Sequence, residues 1–277
     1  MSEFRAHAGH STTSQVAAAY ERAAKENRAV LVGYLPAGFP SRDGCIAALT
    51  AMVQAGVDVV EVGLPYSDPV LDGPTIQRAA DQALANGTRI ADVLATVEAV
   101  AAAGAATVVM TYWNPVLRYG VDRFARDLAA AGGAGLITPD LTPDSGPDWL
   151  AASDAHGLDR VFLAAPSTSD ERLRLTADAC RGFIYASSVM GVTGARAQTS
   201  SAAPTLVARL RGITDLPIGV GLGVSNGDQA AEVGSFADGV IVGSAFVRTL
   251  LDAPHVEAGV AAAAALAADL AAGVRRR

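Results

Sequence analysis

Three carboxylates fall within twelve residues of the stretch "EVGLPYSDPVLDGPTIQ" at positions 61–77: Glu61, Asp68 and Asp72. Glu61 closes an apolar run at 57–60 and shares the alternation of Val57 and Val59. A carboxyl group there is shielded from water, and shielding raises its pKa. A raised pKa suits an acid–base group that works near neutral pH. The same position also suits a structural carboxylate that pairs with a backbone N–H or an arginine. Asp72 precedes Gly73 and Pro74, and proline favours the first position of a helix. Asp72 therefore reads either as a helix-entry residue or as a second chemical group. Asp68, in Ser-Asp-Pro, reads as a turn residue.

Glycine-rich turns form a second constellation, "GVTGA" (191–195), "GLGVS" (221–225) and "GSAF" (243–246). Glycine lets a backbone approach an anion and aim its N–H groups at it. The last turn runs into a short helical segment, and helix N-termini bind anions. Each turn also has a plain reading as a tight loop, and Ser225 with Asp228 has the spacing of a capping box. Together the three predict a phosphate-bearing ligand. "GVGLGV" (219–224) lacks the spacing of a dinucleotide fingerprint.

The remaining residue types narrow the chemistry. Lys25 is the only lysine and precedes the first strand, so a Schiff base on the catalytic face has no candidate. His7, His10, His156 and His255 are dispersed, and Cys45 and Cys180 have no metal or redox spacing. Carbon–carbon cleavage by such a chain falls to carboxylates. It then needs a substrate that holds the developing charge itself, such as an electron-rich aromatic ring protonated at carbon.

Short β-branched runs at 29–35, 57–63, 107–112, 135–138, 160–164, 183–187, 217–222 and 239–242 must position these groups. Each is followed by a longer alanine-rich segment. Nearly continuous apolar strands are those of a parallel sheet covered on both faces. Eight strand–helix units in a chain of 277 residues predict a single (β/α)8 TIM-barrel domain over 1–277. In such barrels the chemistry lies at the C-terminal ends of the strands. A helix at 16–28 is placed to plug the opposite end, and a short helix after strand 8 to face the phosphate. About the first twelve residues are expected to be disordered. The alanine run near the C-terminus contains Asp269 and reads as a helix packed on the barrel. A formal net charge of −7 with scattered basic residues argues against nucleic acid and anionic membranes as partners. No secretory h-region is visible at the N-terminus, which predicts a cytoplasmic chain.

The motifs "VEVGLPYSDPVLDGPTIQRA", "YWNPV", "GLITPDL", "YASSVMGVTGAR", "VGLGVS" and "GVIVGSAFV" follow one another in the order and spacing of the tryptophan synthase α subunit family, which this sequence closely resembles. The resemblance implies retro-aldol cleavage of indole-3-glycerol phosphate to indole and glyceraldehyde 3-phosphate, without a cofactor in this subunit. It casts Glu61 as the acid–base group and Asp72 as the partner of the indole N–H. It places Gly194, Gly223, Gly243 and Ser244 in the phosphate cradle, with Tyr185 and Leu222 beside it. Tyr34 and Tyr112 match substrate-pocket positions. Residues 189–203 match a mobile lid whose Thr193 meets Asp72 on closing. The family works as an αββα heterotetramer whose β subunit carries pyridoxal phosphate and receives indole through a tunnel. Pro65, Asp68 and the "YWNP" loop, with Asn114 and Pro115, match positions that face it. Phe39 departs from the common pattern, in which an acid stands there, and so does the strand-4 loop "PDLTPDSGPDW". Two other readings share these motifs: a stand-alone lyase that releases free indole, and an inactive phosphate-binding interaction subunit.

Overall fold

The computed structural model describes residues 14–187 and 202–276. Eight strands, β1 (Val30–Pro36), β2 (Val59–Gly63), β3 (Ala106–Met110), β4 (Gly135–Thr138), β5 (Asp159–Ala164), β6 (Ile184–Ser187), β7 (Ile218–Gly221) and β8 (Gly239–Val242), close in sequence order into a parallel barrel. Each strand falls within two residues of its expected bounds. The largest differences are of two residues, at the start of β2 and at the end of β3, which stops at Met110 rather than Tyr112 because Tyr112 already caps the next helix.

Helix α1 (Gln15–Lys25) precedes the barrel and α2 (Arg42–Gln54) follows β1. Two helices, α3 (Pro74–Ala85) and α4 (Ile90–Ala102), separate β2 from β3, and two more, α5 (Trp113–Tyr119) and α6 (Val121–Ala130), separate β3 from β4. The circuit continues with α7 (Pro147–Ala155), α8 (Asp170–Ala179), α9 (Ala202–Arg211) and α10 (Gly227–Gly234). Helix α11 (Ser244–Leu251) and the long α12 (Val256–Val274) follow β8. Helix α12 is long and apolar enough to cross a membrane by length and composition. As expected of a barrel helix, it packs on α2, α10 and α11.

The strands are apolar on both faces because both faces are covered. Leu31, Val60, Val62, Val109, Leu136 and Val240 point outward into the helices. Val30, Val32, Val59, Val108, Ile137, Val161 and Ile241 fill the interior together with Val16, Ala19, Tyr20 and Ala23 of α1. Those four lie at i, i+3, i+4 and i+7, one stripe of a helix, so α1 is the expected plug. On one side the barrel wall is glycine. A Cβ on Gly239 would lie 2.4 Å from the Tyr20 hydroxyl, and one on Gly219 would lie 3.0 Å from the Phe183 ring. The rings of Tyr20, Phe183 and Tyr185 stack along that wall, with centroids 5.6 and 6.5 Å apart. Phe39, the departure in the strand-1 loop, is buried in the outer core.

Two local expectations need correction. The "YWNP" segment is the start of α5 rather than a loop: the Asp140 carboxylate accepts the Trp113 N–H at 2.9 Å and so caps that helix. The cap of α10 is Asn226, whose Oδ1 accepts the Gln229 N–H. Ser225 instead bonds the Gln229 side chain through its own N–H and hydroxyl, so the capping-box reading of Ser225 with Asp228 fails.

Candidate active site

Glu61 lies on β2 between Tyr34 of β1 and Val108 of β3, on the inward alternation of Val59. It is 1% exposed, and its Oε1 has no hydrogen-bond partner among the described residues. Among the described residues no arginine pairs with it, which weighs against the structural alternative. Burial alone pushes its pKa from 4.5 up to about 8. At neutral pH the buried group therefore carries its proton and can give it away.

Asp72 stands one residue before Gly73, the N-cap of α3, and Pro74 takes the first helical position as expected. The carboxylate does not cap the helix. It accepts a hydrogen bond from the Tyr112 hydroxyl at 3.2 Å, and that hydroxyl accepts the Leu71 N–H at 2.9 Å. The Asp72 carbonyl accepts from the Gln77 amide at 2.7 Å, which fastens the loop to the first turn of α3. Burial raises the Asp72 pKa, and the Tyr112 bond opposes that rise. Tyr112, pushed up to about 12 chiefly by burial, stays a neutral donor. Its ring packs on Tyr66, with centroids 5.3 Å apart. The structure thus gives Tyr112 a task the sequence did not disclose, that of orienting Asp72.

Tyr34 is buried across the mouth of the barrel. A Cβ on Gly63 would come within 2.5 Å of its hydroxyl, and one on Gly243 would lie 3.4 Å from its ring. Burial first, then the charges of Asp72 and Glu61, raise its pKa. Tyr185 occupies the space left by Gly221, where a Cβ would stand 2.7 Å from its hydroxyl. Its pKa is raised by burial and then by Glu61. The acids and these tyrosines therefore share one inner surface.

Beside them, Leu222 is buried and Gly223 has φ +72°, a left-handed conformation that favours glycine. Gly243 is the N-cap of α11 and Ser244 its first residue, and among the described residues no side chain caps that end. The first N–H groups of α11 are thus available to an anion at the positive end of the helix dipole. Thr193, Gly194 and most of the expected lid lie outside the described residues.

The positions expected to meet a partner gather at the rim. Pro65 is buried and Pro115 half-buried, while Asp68 is exposed and accepts from the Ser67 hydroxyl at 2.6 Å. Asn114 is exposed, and its amide donates to the Tyr66 hydroxyl at 3.2 Å. Val70 and Leu117, 71% and 56% exposed, add apolar surface to the same two segments. Their signal in the sequence is faint: Val70 stands beside Leu71 in a turn of Ser, Asp, Pro and Gly.

The sequence model of the family described as tryptophan synthase alpha chain matches residues 20–275. The tryptophan synthase alpha chain of Salinispora tropica is 66% identical over 95% of this chain and 98% of its own. That of Acidothermus cellulolyticus is 64% identical over 94% of this chain and 97% of its own. Among solved structures, Mycobacterium tuberculosis tryptophan synthase aligns with a TM-score of 0.90 and 57% identity, over 95% of this chain and 98% of that one. A mutant tryptophan synthase alpha-subunit from Pyrococcus furiosus aligns with a TM-score of 0.81 and 31% identity, over 88% of this chain and 98% of that one. Matches that span nearly the whole barrel place this chain in the tryptophan synthase alpha chain family.

Proposed function

We propose that Glu61 and Asp72 divide between them the cleavage of indole-3-glycerol phosphate. The chain is a lyase of tryptophan biosynthesis that releases indole and glyceraldehyde 3-phosphate, and its partner is a tryptophan synthase β subunit. The family runs this step without a cofactor in this subunit, pyridoxal phosphate belonging to the partner. The observation that supports the division of labour is a buried Glu61, its Oε1 without a partner among the described residues and its pKa raised by burial, on the same face as an Asp72 held in place by Tyr112.

Glu61 first gives its proton to C3 of the indole ring. The ring becomes an indolenine cation with its charge centred on the N–H, and the Asp72 carboxylate accepts that N–H. Glu61, now ionised, takes the proton of the glycerol hydroxyl on the carbon bound to C3. The carbon–carbon bond breaks, its electron pair restores the indole ring, and the hydroxyl carbon becomes the aldehyde. Glu61 ends protonated, as it began. Acid–base transfer of this kind supplies roughly 10²–10⁴-fold, and a carboxylate aimed at the developing cation adds about 3 kcal/mol. Gly223, Gly243 and Ser244 hold the phosphate, joined by Gly194. Tyr34, Tyr185 and Leu222 enclose the ring, and Thr193 closes over Asp72 from the lid.

The rim formed by Pro65, Asp68, Asn114 and Pro115 meets the β subunit in an αββα heterotetramer. The whole chain acts as one barrel domain in the cytoplasm, with no nucleic-acid or membrane partner. The test is turnover of indole-3-glycerol phosphate by the purified chain with and without β subunit. Slow indole release that rises steeply with β supports this reading. Equal fast turnover in both would make the chain a stand-alone lyase, and no turnover in either would make it an interaction subunit.

A further inference from the structure

Helix α12 touches both elements that face the phosphate. Its Asp269 accepts the N–H of Gly227, the first residue of α10, at 2.6 Å. A Cβ on Gly227 would lie 2.6 Å from the Asp269 carbonyl, and one on Gly273 would fall within 2.2 Å of the Gly227 carbonyl, so the two helices meet backbone to backbone. Arg276, just past α12, bonds Asp228 at 2.8 Å and closes the same junction. The loop between Gly223 and Gly227 is pinned at its other side by Gln229, which accepts both the N–H and the hydroxyl of Ser225. On α11, Leu250 lies against Gly259 of α12, and Ser225, Ala245 and Leu266 line one groove.

We infer that Asp269 is a positioning residue for phosphate binding: through Gly227 it fixes the loop that carries Gly223. It does not touch substrate. A carboxylate is an odd neighbour for an anion site, and its use here is as an acceptor that spends one helix-terminal N–H on the scaffold and so sets the angle of α10. The inference rests on the phosphate reading of Gly223, Gly243 and Ser244.

The experiment uses the full chain with β subunit, and measures calorimetric binding of glycerol 3-phosphate alongside kcat and KM for indole-3-glycerol phosphate. Removing one charge-assisted hydrogen bond that orders a loop is expected to weaken glycerol 3-phosphate binding and raise KM by about tenfold in Asp269→Ala, with kcat little changed. Asp269→Asn keeps an acceptor and should restore both. Should Asp269→Ala precipitate, Asp269→Ser carries the same expectation, because its hydroxyl is too short to reach Gly227. A KM that stays at the wild-type value in Asp269→Ala, or an Asn variant as weak as the Ala variant, overturns the inference. Ser244→Asp separates the two readings: an aspartate suits a helix N-terminus but repels phosphate. If it abolishes glycerol 3-phosphate binding while Asp269→Ala changes nothing, only the inference falls. If it binds as tightly as wild type, the phosphate reading falls and takes the inference with it.

Discussion

At the scale of the residue, Glu61 is a group whose chemistry works against stability. Its pKa is raised from 4.5 to about 8, so between those values the folded state holds a proton that the unfolded state has released. Stability therefore falls as pH rises through that window. Glutamine carries no such proton, and Glu61→Gln should stabilise the chain by about 2–5 kcal/mol at pH 8 and by little at pH 5. Urea unfolding at the two pH values checks this; a gain equal at both would mean that the buried carboxyl is not the cause. Tyr112 works in the other sense. Tyr112→Phe removes the donor to Asp72 and leaves the Leu71 N–H without its acceptor. Turnover should fall about tenfold and stability by about 1–3 kcal/mol, read from steady-state kinetics and the unfolding midpoint. The position and type of Glu61 were legible because strand alternation alone aims it inward. The role of Tyr112 was not, since its partner is forty residues away in sequence and only the closed barrel joins them.

At the scale of the element, the ends of β1, β2 and β8 act as one unit. Tyr34 fits because β2 ends in Gly63 and β8 is followed by Gly243, one on either side of its ring. Gly63→Ala would drive a methyl group into the Tyr34 hydroxyl and the two nearest ring carbons and displace that ring. We predict at least about a tenfold loss in kcat/KM and about 1–3 kcal/mol of overpacking cost; an unchanged kcat/KM would show that the Tyr34 position is not set by Gly63. The strands, the plug helix and the short α11 could be read from apolar runs and spacing, which report burial directly. Start and stop details could not. A distant side chain decided the cap of α5, as Asp140 on the β4 loop took the Trp113 N–H. At α10 the cap is Asn226, one position beyond Ser225 and of an equally suitable residue type, so only geometry chooses it.

At the scale of the whole molecule, the barrel assigns its two ends different work. The lower end is closed by α1 and its stripe of Val16, Ala19, Tyr20 and Ala23, whereas the upper end keeps the acids on the inside and apolar residues on the rim. Val70 and Leu117 cost the free chain exposed apolar surface, and a partner would cover it. Leu117→Asp should weaken association with the β subunit at least about tenfold while leaving the slow turnover of the free chain intact, as measured by sedimentation and by indole release without β. Undiminished association would place the interface elsewhere. The central claim is that one buried carboxyl group both gives and takes the proton. Its most direct test is cleavage of indole-3-glycerol phosphate by Glu61→Gln with the β subunit present, beside calorimetric binding of the unreactive indole-3-propanol phosphate. The account predicts binding close to wild type and turnover lower by about 10³-fold or more; turnover near the wild-type rate with binding intact would contradict it.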